Sequence, residues 1–258
     1  MRILHIITRF NKGGTATWLK ILIEEQAKLG HQVFLMAGHV QNDESEDDFF
    51  TNFKGIRIES FGRRVNLFSD FLSFFFIRKK IREIQPDLIN THTSKAGLIG
   101  RLAAKSFFDN KFTLIHTYHG HILYGYFKPF LVKLIIILER LLAHITDLFL
   151  VSGSLVSEDL LSVGIGDKNQ HYIIRPGIRI NSQKMRFKKH DRITIGWLGR
   201  LAEIKRPDRV LKLARELENA DFLIGGEGPL KEFIKLEATK NVHILGWVDP
   251  FEFWSKCD

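Results

Sequence analysis

Short β-branched runs alternate with helical patterns along nearly the whole chain. Residues 3–7 predict a buried strand, and residues 15–29 predict an amphipathic helix, capped by the threonine at its start and stopped by Gly30. The alternation continues to residue 175, and a second set begins at residue 193. Strands that alternate with helices form parallel sheets with helices on both faces. We therefore expect an α/β protein whose ligands bind at the carboxyl ends of its strands.

A polar and basic segment divides the chain into two domains. Residues 178–191 are poorly periodic and rich in Lys and Arg, which is typical of a linker. The first domain is then 1–177, and the second is 192–258. The second is short beside a common domain of roughly 100–150 residues, so we expect it to be incomplete.

Composition is ordinary for a globular protein. The apolar share is 45% and the charged share is 26%, which excludes a disordered or collagen-like chain. The single cysteine, Cys257, allows no internal disulfide. The apolar run at the start of the chain is short and lacks the cleavage pattern of a signal peptide. The most apolar stretches, 71–77 and 131–138, fall far short of the ~20 residues that cross a bilayer. We expect a cytoplasmic protein.

The net charge of +9 comes from two short basic segments. Residues 175–192 carry seven Lys and Arg against one acid, and residues 78–83 carry four against one. Local basic patches suit an anionic membrane surface or a lipid phosphate. No nucleic-acid reader motif accompanies them. We therefore expect peripheral contact with an anionic membrane, at its inner face, and no nucleic-acid partner.

Gly13 and Gly14 lie between the first strand and the first helix. Glycines there let backbone N–H groups approach a ligand, and a helix N-terminus favours an anion. A tight turn that needs positive φ is the alternative explanation. The pair alone does not decide between a ligand site and a turn.

Four histidines follow two neighbouring predicted strands: His92, His116, His119 and His121. A zinc site would need cysteines nearby or a helical His-x-x-x-His pair, and this segment has neither. We expect no metal here, and we interpret residues 119–121 as a loop that lines a cleft and donates hydrogen bonds to a polar ligand. A structural role remains the alternative for His92 and His116.

In the second domain, residues 199–207 follow the first strand directly and place Arg200 and Lys205 at its carboxyl end. Arginine offers a planar fork for phosphate, and lysine adds a compact charge. The alternative is a solvated loop in which Glu203 pairs with Lys205. Residues 225–230, Gly-Gly-Glu-Gly-Pro-Leu, suit a tight turn into a helix and are interpreted as structural.

Together these motifs resemble the retaining glycosyltransferases of family 4, which have the GT-B fold. The matching pieces, in order, are Gly13-Gly14, residues 92–101 (His-Thr-Ser-Lys-Ala-Gly-Leu-Ile-Gly-Arg), 116–121 (His-Thr-Tyr-His-Gly-His), 175–178 (Arg-Pro-Gly-Ile), Gly199-Arg200-Leu201 with Lys205, and 225–230. Each piece lies at the end of a predicted strand, and the set covers nearly the whole chain. The Thr-Ser-Lys-Ala-Gly stretch is similar to enzymes that build bacterial surface polysaccharides.

The resemblance implies two facing Rossmann-like domains, with an acceptor in the first and a nucleotide-diphosphate sugar in the second. By position, His119, Arg200 and Lys205 would be catalytic; Arg200 and Lys205 would also hold the donor diphosphate, which Gly14 would approach through its backbone. The residues implied to bind the acceptor, a saccharide or a lipid-linked molecule, are Gly13, His92, Thr93, Ser94, Lys95 and His121. No Asp-x-Asp occurs, so we expect neither a metal nor another cofactor.

The resemblance also implies a continuation that the sequence does not contain. Family members follow the final aspartate with a strand, a loop and a helix that carries two glutamates seven residues apart, which bind the donor. The sequence stops at Asp258. We therefore expect a glycosyltransferase impaired by C-terminal truncation. The alternative is a non-catalytic remnant that binds an acceptor or a partner.

Overall fold

The computed structural model describes residues 1–42, 44–107, 112–120, 123, 128–179 and 192–258. His121 and residues 180–191 of the predicted linker lie outside the described residues. The chain divides into two compact units, Met1–Ile178 and Arg179–Asp258.

The first unit is built on a seven-stranded parallel sheet. Its strands are β1 (Arg2–Arg9), β2 (Gln32–His39), β3 (Ile56–Gly62), β4 (Leu88–His92), β5 (Thr113–Tyr118), β6 (Leu148–Val151) and β7 (His171–Ile173). They lie in the order β3-β2-β1-β4-β5-β6-β7. The chain moves outward from β1 to β3 and then returns to β4 on the other side of β1. This reversal opens a crevice at the carboxyl ends of β1 and β4, where ligands bind in such sheets.

Helices cover both faces of this sheet. They are α1 (Gly14–Lys28), α2 (Phe49–Asn52), α3 (Leu67–Ile84), α4 (Ser94–Lys105), α5 (Pro129–Ala143) and α6 (Ser154–Ser162). Successive residues of a strand point to opposite faces, so Ile6 joins the core beneath α3 and α4, while Ile7 joins the core beneath α1 and α2. Burial of each such side chain contributes about 1.5–3 kcal/mol.

Two helices of the first unit expose large apolar side chains. On α3, Phe68 is 73% exposed and Phe71 is 61% exposed. On α5, Phe130 is 76% exposed and Leu141 is 62% exposed. The helix α4 packs against both of them. None of the described helices combines the length and the apolar character needed to cross a bilayer.

The second unit has a smaller parallel sheet. Its elements are β8 (Thr194–Leu198), a 3-10 turn (Glu203–Lys205), α7 (Asp208–Glu216), β9 (Asp221–Gly225), α8 (Lys231–Glu237), β10 (Val242–Gly246) and α9 (Pro250–Trp254). The strand order is β10-β9-β8, and Phe222 and Ile224 of β9 are fully buried in its core. The predicted fold class, α/β with two Rossmann-like parallel sheets, is confirmed.

One local expectation was wrong, and one short helix was not predicted. Thr15 does not cap α1, because the helix begins at Gly14 with Gly13 as its N-cap residue. The helix that was not predicted is α2, in which Phe50 is buried with its ring 6.2 Å from that of Phe10. One turn of helix is too short for a periodic pattern to reveal it.

Candidate functional site

A cavity of about 210 Å³ lies at the carboxyl ends of β1 and β4, beside the start of α1. Its lining residues are Ile7, Arg9, Asn11, Gly13, Gly14, Thr15, Ala16 and Thr93. The turn does not require the two glycines, because Gly13 is extended (φ 166°) and a Cβ on Gly14 would meet nothing within 4 Å. The positive-φ explanation of this pair was therefore wrong. No described side chain caps α1, so its first-turn N–H groups are available to a polar or anionic ligand.

Thr93 borders the same cavity in a strained conformation. Its φ of 68° and ψ of 154° are rare for any residue with a Cβ and cost about 1–3 kcal/mol. Thr8 holds it there: the Thr8 hydroxyl lies 2.7 Å from the Thr93 hydroxyl, which also donates to the carbonyl of His92. The Thr8 oxygen accepts from the backbone N–H of Ala96 at 3.1 Å and so caps α4. Strain of this kind, held by its surroundings, is a feature of functional sites.

Arg9 lines the cavity, and its positive charge is neutralised by a neighbouring carboxylate. Its guanidinium donates to both carboxylate oxygens of Glu44, at 2.5 and 2.7 Å, and the Glu44 side chain is only 7% exposed. Arg63 lies 3.8 Å from the same carboxylate. The acidic segment after β2 thus neutralises the arginines around the site. Arg9 was not among the residues predicted for the site, although its place at the end of the first strand was a usable signal.

Beside the cavity, three imidazoles form a continuous hydrogen-bonded chain. Nδ1 of His5 lies 3.0 Å from Nε2 of His92, and Nδ1 of His92 lies 3.0 Å from Nε2 of His119. The chain ends inside the protein at Gln26, whose Oε1 lies 2.8 Å from Nε2 of His5. Trp18 packs its edge against His119, with ring centroids 4.8 Å apart. His5, Gln26 and Trp18 were not among the residues predicted for the site.

Burial keeps these imidazoles neutral. Loss of water lowers the pKa of His5 to about 4, although the hydrogen bond with Gln26 partly opposes the shift. Burial likewise lowers the pKa of His119 to about 4. The pKa of His92 falls well below its usual range through burial and then through its histidine neighbours. At pH 7 the three rings therefore exchange hydrogen bonds as neutral groups.

His116 lies apart from this chain and has a structural role. Its Nδ1 is 2.8 Å from the hydroxyl of Thr91, and its ring fills the space above Gly97, where a Cβ would lie 2.5 Å from Cε1. Burial, and then the charge of Arg101, lower the pKa of His116 well below its usual range. The structural alternative considered for His116 is the one that fits.

Arg101 is completely buried in an ion pair. It donates to Glu139 at 2.7 Å, and the hydroxyl of Tyr118 donates to the same carboxylate oxygen at 2.7 Å. Burial, and then the Glu139 charge, raise the pKa of Tyr118 well above its usual range. The network joins α4 and α5 to the end of β5, and so supports the loop that carries His119.

Two residues predicted to bind an acceptor are occupied by the protein itself. His92 is fully buried and both its ring nitrogens are bonded, so direct contact with an acceptor does not fit this geometry. Lys95 donates to the carbonyls of Gly62 and Arg64, at 2.8 and 2.6 Å, and pairs with Asp70 at 2.5 Å. It anchors the loop before α3 and does not face a ligand.

The other predicted residues of the first unit remain accessible. Gly13, Gly14 and Ser94 are exposed, and Thr93 and His119 are partly exposed. His119 borders a small cavity of about 10 Å³, which Trp18 also lines. His121 lies outside the described residues. Among the residues that are described, no three His, Cys, Asp or Glu side chains could together hold a metal ion.

Arg200 and Lys205 lie just after the carboxyl end of β8, and both are exposed. Within the described part of the chain neither forms an ion pair, and the Glu203–Lys205 pairing of the alternative interpretation is not found. The loop after β9 packs against the backbone of Gly199 and Leu201: Gly226 has φ 133°, and a Cβ there would lie 1.9 Å from the carbonyl oxygen of Gly199. The glycines of that loop are therefore structural, as expected.

The Glycosyltransferase Family 4 profile matches residues 12–182, which is well over half of the chain. A 41.2 kDa protein in the cps region of Klebsiella pneumoniae is 27% identical over 98% of this chain and 70% of its own length. The O-antigen biosynthesis glycosyltransferase WbnH of Escherichia coli is 25% identical over 98% of this chain and 71% of its own length.

Solved structures show the same fold. Anabaena HepE, in complex with UDP and glucose, superposes with a TM-score of 0.71 at 14% identity, covering 100% of this chain and 73% of its own. The match extends across both parallel-sheet units, so the two-unit architecture is that of GT-B proteins.

Proposed function

This chain belongs to glycosyltransferase family 4, and we propose that it transfers a sugar from a nucleotide-diphosphate donor to a saccharide or lipid-linked acceptor. The similarity to an O-antigen glycosyltransferase supports a place in the synthesis of a bacterial surface polysaccharide. The proposed reaction retains the configuration at the anomeric carbon. The bond from that carbon to the diphosphate breaks, a bond to an acceptor hydroxyl oxygen forms, and the hydroxyl proton passes to the departing diphosphate.

The observation that carries this proposal is the cavity at the ends of β1 and β4. It combines first-turn N–H groups of α1, which no described side chain caps, with the strained Thr93, at the point where the strand order reverses. Backbone N–H groups and hydroxyls are suited to sugar hydroxyls and to phosphate oxygens. We propose that Gly13, Thr93 and Ser94 contact the acceptor, and that Gly14 approaches the donor diphosphate.

We propose that Arg200 and Lys205 bind the donor diphosphate and stabilise the leaving nucleotide. Negative charge grows on the diphosphate as the glycosidic bond breaks, and two cations that pair with no carboxylate among the described residues are suited to receive it. Loss of one such group typically lowers the rate by about 10²–10³. His119 would contact the sugar from the first unit.

To test this proposal, the full chain is incubated with a panel of nucleotide-sugars, UDP-glucose among them, and nucleotide release is measured. We expect release to increase when a saccharide acceptor is added, and to fall by about 10²–10³ in Arg200→Ala. Arg209→Ala, which removes an exposed arginine on α7, is the matched control. Donor binding without release would support a non-catalytic binding protein, and Arg200→Ala at the control rate would refute the site assignment.

We also propose that the first unit works in the cytoplasm, at the inner face of an anionic membrane. On α3, Phe68, Phe71 and Phe75 are all exposed, and the basic residues 78–82 follow them on the same helix. Apolar side chains that enter the interface, flanked by cations that meet lipid phosphate, are typical of helices that lie on bilayers.

Co-sedimentation with phosphatidylglycerol-rich vesicles tests the membrane contact, with pure phosphatidylcholine vesicles for comparison. We expect binding to the anionic vesicles alone, and a loss of binding in the Phe68→Ser, Phe71→Ser double variant. Leu236→Ser removes a side chain of the second unit that is 85% exposed and should change nothing. Equal binding to both kinds of vesicle, or no effect of the double variant, would count against this surface.

A further inference from the structure

The chain of imidazoles has a property that no single histidine has. Each neutral imidazole carries one proton on one nitrogen and a lone pair on the other. Both nitrogens of His5 and of His92 are engaged, so every link needs one donor and one acceptor. The three rings must therefore share one tautomer. Either all carry the proton on Nε2, or all carry it on Nδ1.

Gln26 selects between these two states. Its Oε1 can only accept, so Nε2 of His5 carries the proton and donates to it across 2.8 Å. Nδ1 of His5 is then a lone pair, which accepts from Nε2–H of His92. Nδ1 of His92 in turn accepts from Nε2–H of His119.

We propose that Gln26, acting through His5 and His92, holds His119 in its Nε2–H tautomer, so that Nδ1 of His119 accepts a hydrogen bond from a substrate hydroxyl. Gln26, His5 and His92 are positioning residues, and only His119 touches the ligand. The ligand's identity as a saccharide rests on the proposed function; the tautomer does not.

The end of the chain at His119 is available for such a contact. No hydrogen bond from a described residue reaches its Nδ1, whereas its Nε2 is occupied by His92. Trp18 packs edge-on against both His92 and His119, at centroid distances of 6.2 and 4.8 Å, and so restricts rotation of the rings. A fixed acceptor distinguishes sugar hydroxyls, which can donate, from groups that can only accept.

Nitrogen-15 NMR of the histidine-labelled full chain at pH 7 tests the tautomer directly. Two-bond correlations distinguish a protonated ring nitrogen from a bare one. We expect His5, His92 and His119 all to be protonated on Nε2. In Gln26→Met, which keeps the length of the side chain and removes its acceptor, we expect His119 to gain the Nδ1–H tautomer. Gln32→Met, the same change at an exposed position of β2, should leave all three rings as they are.

The effect of Gln26 on His119 through His5 and His92 is called the relay from here on. The outcomes distinguish a failure of the relay from a failure of the proposed reaction. A wild-type His119 protonated on Nδ1, or a tautomer unchanged in Gln26→Met, overturns the relay whether or not sugar is transferred. If the tautomers are as expected and no sugar is transferred, the relay stands and the proposed function fails. With transfer, kcat/KM should fall about tenfold in Gln26→Met, the value of one hydrogen bond. An unchanged kcat/KM beside a shifted tautomer would refute the hydroxyl contact.

Discussion

Acidification from pH 7 to pH 5 should destabilise the first unit through its buried histidines. His5 and His119 have folded pKa values of about 4, whereas an unfolded histidine has a pKa of about 6.5. Between these two values the unfolded chain binds protons that the folded chain does not. Stability is therefore greatest above pH 6.5 and falls as the pH drops toward 4.

The size of the loss follows from the two pKa values. At pH 5 an unfolded histidine is almost fully protonated, while a folded one with a pKa near 4 is mostly neutral, so each contributes about 2 kcal/mol of lost stability. His5 and His119 together account for about 4 kcal/mol, against about 5–15 kcal/mol for the whole stability of a typical domain. His92 and His116 shift in the same direction and add to the loss.

Urea unfolding followed by Trp18 fluorescence measures this effect, because Trp18 is the one tryptophan of the first unit. The experiment uses a background variant in which Trp197, Trp247 and Trp254 are replaced by Phe. The free energy of unfolding is extrapolated linearly to zero urea at each pH. In His119→Gln the loss at pH 5 should shrink by about 2 kcal/mol. His144→Gln, on the exposed end of α5, should keep the wild-type dependence. A free energy of unfolding equal at pH 5 and pH 7, or identical behaviour of the two variants, would refute the argument.

Two further predictions concern the packing beneath the site, and both are measured by urea unfolding of the first unit at pH 7. In Gly97→Ala the new Cβ would lie 2.5 Å from Cε1 of His116, which should cost about 1–3 kcal/mol, whereas the new Cβ in Gly177→Ala, at an exposed position outside the helices, meets nothing within 4 Å and should be nearly neutral. Glu139→Leu leaves the fully buried Arg101 without its carboxylate and should cost about 3–5 kcal/mol; Arg101→Met in the same chain should recover most of that loss, and no recovery would contradict the buried-charge explanation.

Much of the fold could be predicted because its signals are local. The strand predicted at residues 3–7 lies within β1, Arg2–Arg9, and the helix predicted at residues 15–29 corresponds to α1, Gly14–Lys28. Strand positions followed from β-branched runs, and their carboxyl ends pointed to Gly13, Thr93 and His119. Each of these inferences needed only a few neighbouring residues.

The relay could not be predicted because its members are distant in sequence. His5 lies 21 residues before Gln26 and 87 before His92. Their contact depends on the parallel register of β1 and β4, which no local pattern fixes. One signal was present: a histidine within a buried apolar strand must find hydrogen-bond partners, because unsatisfied buried polar groups are rare.

The end of β4 connects the cavity beside α1 to the chain of imidazoles. His92 and Thr93 are consecutive, yet His92 points into the relay and Thr93 borders the cavity. Successive residues of a strand point to opposite faces, and Thr8 holds Thr93 in its positive-φ conformation while also capping α4 at Ala96. A change that relaxes Thr93 would therefore shift the start of α4 and the carbonyl of His92 together. Because one strained residue fixes both positions, the cavity and the His119 end of the relay are held in one geometry, which suits the proposed transfer, in which both would meet the same substrate.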